Sequence, residues 1–190
     1  MTRADRPVRL SRSVPFRGPI FTVTREAVRL PAGHRVVYDV VRHRGSVVLV
    51  PQPSRYTIVL IRQYRWAIGQ WIWELPAGSL EPGERADRAA RRECAEEIGL
   101  RPSRLERLGT FYPTPGFCDE RMIFYRCTGL RPPARPVSGD ADEQIEPRTF
   151  RLDEVARMIR RGEITDMKTV CGYQLIAGLL VRLRPARLAG

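Results

Sequence analysis

From Ile20 onward apolar and polar positions alternate: Phe21 and Val23 interleave with Thr22 and Thr24, and the pattern runs to Leu30 as a predicted strand. Pro31-Ala32-Gly33 predicts a turn and Val36 to Val41 a second β-rich run, which makes an early hairpin with too little chain of its own to pack against. Val47 to Val50 and Thr57 to Ile61 are short, unbroken apolar runs around Pro51-Gln52-Pro53-Ser54-Arg55, and predict neighbouring buried strands joined by a turn. Leu105 to Tyr112 and Met122 to Cys127 predict further strands around the loop Pro113-Thr114-Pro115-Gly116-Phe117. Toward the end the period becomes helical. Val155, Met158 and Ile159 mark one face of a helix from Asp153 to Arg161, and Asp166 caps a last helix with the core stripe Val170, Tyr173, Ala177 and Leu180. Residues 1–18 are basic, contain proline and show no period, which predicts a loose tail; Arg131 to Gly139 is too rich in proline for regular structure. The division that results is a tail over 1–18, an N-terminal pair of strands over 19–42, the main domain over 43–184 and a short tail over 185–190.

One stretch departs from ordinary packing logic. After the Pro82-Gly83 turn, helix formers run without a break to Gly99, whose place suits the residue just past a helix end. On that helix Glu93 and Glu97 stand one turn apart on one face, with Glu96 beside them. Like charges at that spacing repel, and the compensation they call for is a cation. Hard divalent ions take carboxylate and carbonyl oxygens and share themselves with substrate phosphates. A lone pair of glutamates would read as a solvated acidic face. Here the whole spacing from Gly78 to Leu100, GSLEPGERADRAARRECAEEIGL, carries more: a glycine, Glu84 six residues on, Arg92-Glu93, Glu96-Glu97 and Gly99.

That spacing resembles the signature of the Nudix hydrolases at every fixed position, a chance match on the order of 10⁻⁸ per window. The pairing of Arg62-Gln63-Tyr64-Arg65 with Glu74-Leu75-Pro76-Ala77-Gly78 just ahead of it, and Pro115 beyond it, resemble the branch that cleaves ADP-ribose and other nucleoside diphosphate sugars. The resemblance implies an α/β fold, a Nudix-type α/β/α sandwich with a mixed β-sheet, here with an N-terminal β-hairpin extension. It implies Mg²⁺ as cofactor, with Mn²⁺ as a substitute, held by Glu93 and Glu97 with the Ala77 carbonyl and with Glu96 as an outer ligand. Glu84 and Arg92 would orient the loop and helix through an ion pair. Arg65 is the expected phosphate anchor, with Thr114 and Glu120 as further substrate contacts. Among the acidic residues of 140–146, Glu143 matches the glutamate that the family closes onto the metal site, as base or late ligand; Asp142 is the alternative, since Ala141 stands where the family often has an acid. Tyr38-Asp39 replaces the Arg-Glu pair that often contacts the adenine side, so Asp39 is a candidate contact and base preference stays open. The family also implies a homodimer that exchanges its N-terminal strands.

Composition narrows the picture only a little. The net charge is +12, but Lys168 is the only lysine among 33 basic residues, and arginine is spread along the whole chain. Such usage reads as the codon bias of a G+C-rich genome, so the partner expected is a small nucleotide-sugar substrate, not nucleic acid. Absence of a membrane-span-length apolar run and of a signal-peptide pattern predicts a cytoplasmic protein without membrane association. Cys94, Cys118, Cys127 and Cys171 show no paired spacing and read as reduced thiols. The expected reaction is Mg²⁺-dependent hydrolysis of ADP-ribose, or of a related nucleotide sugar, to a nucleoside monophosphate and a sugar phosphate. Its rivals are an RNA-end or nucleoside-triphosphate pyrophosphohydrolase, and a non-catalytic nucleotide sensor, although sensors often lose the carboxylates that this chain keeps.

Overall fold

The computed structural model describes residues 6–135 and 144–182, with the chain in the order β1 (Val8–Arg17), β2 (Phe21–Arg29), β3 (Arg35–His43), β4 (Ser46–Pro51), β5 (Thr57–Arg65), β6 (Gln70–Glu74), β7 (Ala77–Ser79), α1 (Ala86–Ile98), β8 (Arg101–Phe111), β9 (Met122–Arg131), β10 (Ile145–Arg151), α2 (Leu152–Arg161) and α3 (Met167–Arg182). Every position of β4 is buried, and its side chains divide by parity. Val47 and Leu49 enter one core with Val59 and Ile61 of β5; Val48 and Val50 enter a second with Ile58 and Leu60. Strands covered on both faces read as unbroken apolar runs, which is why neither segment shows a period of two. Helix α1 closes the first core through Ala89, Ala90, Cys94 and Ile98, while Leu152, Val155 and Met158 of α2 and Ile176 of α3 close the second. Small side chains let α1 lie close to the strands beneath it. Each buried Leu, Ile or Phe contributes roughly 1.5–3 kcal/mol, so both helix layers are fixed by burial on β4 and β5. This is the expected α/β/α layering.

The strands form a mixed sheet in the order β7-β4-β9-β8, with β4 and β9 parallel, and two antiparallel sheets, β10-β5-β6 and β1-β2-β3. The expectation of neighbouring buried strands is corrected in one respect: β4 and β5 are both buried, but they belong to different sheets. Gln52 N–H still bonds the Cys127 carbonyl at 2.9 Å, and only beyond it does the chain leave β9 and cross to the other sheet. The loose tail over 1–18 is corrected as well: residues 8–17 form β1, paired along β2. All of its positions but Val14 are exposed, so pairing of main chain, not burial, makes this strand, and no apolar period records it. The N-terminal unit is thus a three-stranded sheet, not a hairpin. β10 was likewise not foreseen; among the described residues it pairs only with β5, where an edge position tolerates Pro147.

Asp166 caps α3 as expected, accepting the Thr169 N–H at 2.9 Å. The inner face of α3 is Thr169, Gly172 and Ile176, flanked by Val170 and Tyr173, so the predicted stripe is rotated toward the small residues that admit Leu75 and Phe124. The side chain of Leu180 lies outside the described residues. The four cysteines are free thiols, and among the described residues no helix is long and apolar enough to cross a membrane.

Candidate active site

Helix α1 is bounded by two glycines in the left-handed region, Gly83 at φ 75° before it and Gly99 at φ 67° after it. Gly99 closes it with its N–H on the Ala95 carbonyl at 3.2 Å. Between them Glu93 and Glu97 are buried, at 8% and 7% exposure, where α1 meets β7. The Ala77 N–H donates to Glu97 Oε2 at 3.0 Å. Gly78 packs so closely on Glu93 that a Cβ there would overlap its carboxylate. Glycine is needed at that position for space, not for an unusual φ.

Arg92 binds the acidic face together. Its Nε and Nη2 donate to the two oxygens of Glu84 at 3.1 and 2.9 Å, and its Nη1 to Glu93 Oε1 at 2.7 Å and Glu96 Oε2 at 2.9 Å. The Glu84 hydrogen bonds, followed by the charge of Glu93, raise the guanidinium pKa, and the same fork holds Glu84 below the usual carboxylate range. Among the described residues Arg92 thus gathers Glu84, Glu93 and Glu96 around one guanidinium, with Glu97 one turn beyond Glu93. Buried carboxylates one turn apart, with the backbone of Ala77 and Gly78 beside them, form a donor set that fits a hard divalent cation. Among the described residues no three His, Cys, Asp or Glu side chains converge as a metal cluster, so the fit depends on backbone oxygen, water and substrate for the remaining donors.

The other candidates are dispersed. Arg65, at the end of β5, donates through Nε to Glu74 Oε1 at 2.7 Å, and its side chain is 38% exposed. Thr114 lies exposed in the loop after β8, where its carbonyl accepts the N–H groups of Phe117 and Cys118. Glu120 accepts the Ser46 hydroxyl at 2.8 Å, at the start of β4. Asp39 sits on β3, exposed, in a two-pronged pair with Arg25 at 2.8 Å. Glu143 and Asp142 lie outside the described residues; Glu146, second in β10, pairs with Arg62 at 3.5 Å. Two residues that the sequence reading did not name as site candidates pair beside Arg65: Glu74, 1% exposed and bonded to Arg65, and Lys168, bonded to Glu74. A buried acid directly before Leu75-Pro76-Ala77-Gly78 was the available signal.

Residues 41–170 match the NUDIX domain family. The chain is similar to an ADP-ribose pyrophosphatase of Mycobacterium tuberculosis, 37% identical over 156 residues and spanning 82% of this chain and 75% of that protein. It is similar also to a methanol dehydrogenase activator of Bacillus methanolicus, 34% identical over 161 residues (85% of this chain, 87% of the other). A GDP-mannose pyrophosphatase of Citrobacter koseri is 33% identical over 163 residues, 82% of this chain and 83% of its own length. Among solved structures, an ADP compounds hydrolase superposes with a TM-score of 0.82 at 23% identity, over 96% of this chain and 98% of that one, a likeness of fold.

Proposed function

The chain belongs to the NUDIX domain family of hydrolases, and from that premise we propose that it cleaves the pyrophosphate bond of ADP-ribose or a related nucleoside diphosphate sugar, releasing a nucleoside monophosphate and a sugar phosphate. The observation that carries this reading is the burial of Glu93 and Glu97 against the backbone of Ala77 and Gly78. A divalent ion, Mg²⁺ with Mn²⁺ as substitute, would supply charge neutralisation on the phosphates and lower the pKa of a nearby water. Glu93, Glu97 and the Ala77 carbonyl would hold it, with Glu96 as a further ligand. Arg92 and Glu84 lock those carboxylates on α1 at a fixed distance from β7. Arg65 binds a substrate phosphate through the end of its fork, and Thr114, Glu120 and Asp39 contact the remainder. In the hydrolysis a water oxygen bonds to phosphorus as the bond to the bridging oxygen breaks. Glu143, or Asp142 in its place, takes the water's proton.

The test is product release from a panel of ADP-ribose, GDP-mannose, nucleoside triphosphates and triphosphate-ended RNA, with and without Mg²⁺. Metal-dependent release of nucleoside monophosphate from a nucleotide sugar is the expected result. Hydrolysis of triphosphates or RNA ends at least tenfold more efficient than that of any nucleotide sugar would overturn it.

A further inference from the structure

Of the 33 basic residues of this chain only Lys168 is a lysine, and it occupies an expensive place. It sits in the first turn of α3, where the helix dipole disfavours a cation, and its side chain is only 9% exposed. Its stem lies along a cavity of about 220 Å³ walled by Phe111, Tyr112, Met122, Phe124 and Cys171. Its ammonium pairs with Glu74 Oε2, and with Asp166 at 3.2 Å. The other oxygen of Glu74 accepts from Arg65 Nε. A compact charge on a flexible stem can pass such an apolar wall; a planar guanidinium fork cannot turn there as freely. The same end of α3 is fastened to the strand connection above it. Leu75 N–H donates to Thr169 Oγ1 at 2.7 Å, and that hydroxyl donates to Asp166.

We infer that Lys168 is a positioning residue, acting through Glu74 on Arg65. Glu74 is 1% exposed, and a carboxylate so buried needs its charge met by hydrogen-bonded cations. With Lys168 present, Glu74 holds Arg65 by one nitrogen, and neither Nη of Arg65 has a protein partner among the described residues. That leaves the outer edge of the fork, and its positive charge, for a phosphate of a nucleoside diphosphate. Without Lys168, the whole of Glu74 falls to Arg65, which turns to a two-pronged pair and loses its charge to the protein. The inference rests on the reading of Arg65 as the phosphate anchor.

The test is the pair Lys168→Met and Lys168→Met with Glu74→Gln, measured in steady state with a nucleotide sugar and by calorimetry with inorganic pyrophosphate. Lys168→Met is expected to raise KM and the pyrophosphate Kd by about tenfold with kcat within about threefold of the parent. The double variant removes the uncompensated carboxylate yet keeps an amide oxygen for Arg65 Nε, and should recover most of the loss in both. A purely structural role predicts the opposite, with the double variant no better than the single. Should Lys168→Met not fold, Lys168→Gln keeps a donor for Glu74 without the charge, and the same split is expected. A KM change below about threefold, a loss confined to kcat, or no recovery in the double variant overturns the inference. Absence of nucleotide-sugar hydrolysis by the parent would instead count against the proposed function, and the calorimetric comparison would still decide the role of Lys168.

Discussion

At the scale of single residues, the site is sensitive to a methyl group in one place and to a charge in another. Gly78 has no room for a Cβ because the Glu93 carboxylate already fills that space. Gly78→Ala must therefore displace Glu93, and turnover should fall by at least about 10² with little change in helix content, measured by kinetics and circular dichroism. Gly83 is the contrast. It has φ 75° and nothing within reach of a Cβ, so Gly83→Ala should cost about 1–2 kcal/mol of stability from backbone strain, read from denaturant unfolding. Glu97→Gln preserves shape and the acceptor for the Ala77 N–H, but removes the charge proposed to hold the metal. A fall in turnover of at least about 10² is expected, and activity within threefold at saturating Mg²⁺ would take Glu97 out of the site. Sequence spacing alone placed Glu93 and Glu97 on their helix and Gly99 just past its end, since helical period and cap chemistry are local. Glu74 and Lys168 were beyond its reach, because their pairing joins residues 94 positions apart.

At the scale of elements, α1 is held by both its apolar and its charged side, and the charged side titrates. Hydrogen bonds from Arg92 keep Glu84 below the ordinary glutamate value in the folded chain. A depressed carboxylate stabilises the fold above the unfolded pKa, about 4.3, and that contribution disappears as pH falls through the lower folded value. Glu84→Gln should therefore be less stable than the parent at pH 7, and the gap should close on acidification below about pH 4 in urea unfolding. A gap that stayed constant with pH would mean that packing, not charge, accounts for the loss. Elements written by burial were legible in the chain: β4, β5 and α1 carry their cores in sequence. Those written by pairing alone were not. β1 has exposed side chains throughout except at Val14, and β10 carries Pro147 at a sheet edge, so neither shows an apolar period. The register that joins Ile145 to Gln63 is a tertiary fact.

At the scale of the whole molecule, the N-terminal sheet has one satisfied face and one that is not. Glu26 lies 7% exposed on the first face, paired with Arg42 at 2.6 Å and flanked by Arg9 and Arg12. On the other face, Val8, Phe16 and Val37 stand opposite Arg29, Val23 and Ala27, alternate positions of β2 that also include Phe21. Those four apolar side chains are between 39% and 59% exposed. The sheet meets the remainder through main-chain bonds, Val41 N–H to the Phe117 carbonyl at 2.8 Å and Asp119 N–H to the Val41 carbonyl at 3.1 Å, and through the Asp119 carboxylate, which accepts from Arg42 Nη1 at 3.0 Å and the His43 N–H at 2.8 Å. The same face carries the Arg25–Asp39 pair and the buried Ala27, but no described residue covers its four exposed apolar side chains, and a second copy of the chain has the same four to bury. A homodimer through this sheet is the expected assembly, with twofold symmetry that sets each patch on its counterpart. Light scattering at micromolar concentration should give twice the mass of the chain. Phe16→Asp with Val37→Asp, both at positions exposed in the isolated chain, should give a folded monomer. If the parent is itself monomeric, the apolar face is not a self-association surface, and a role for Asp39 in a partner's site falls with it.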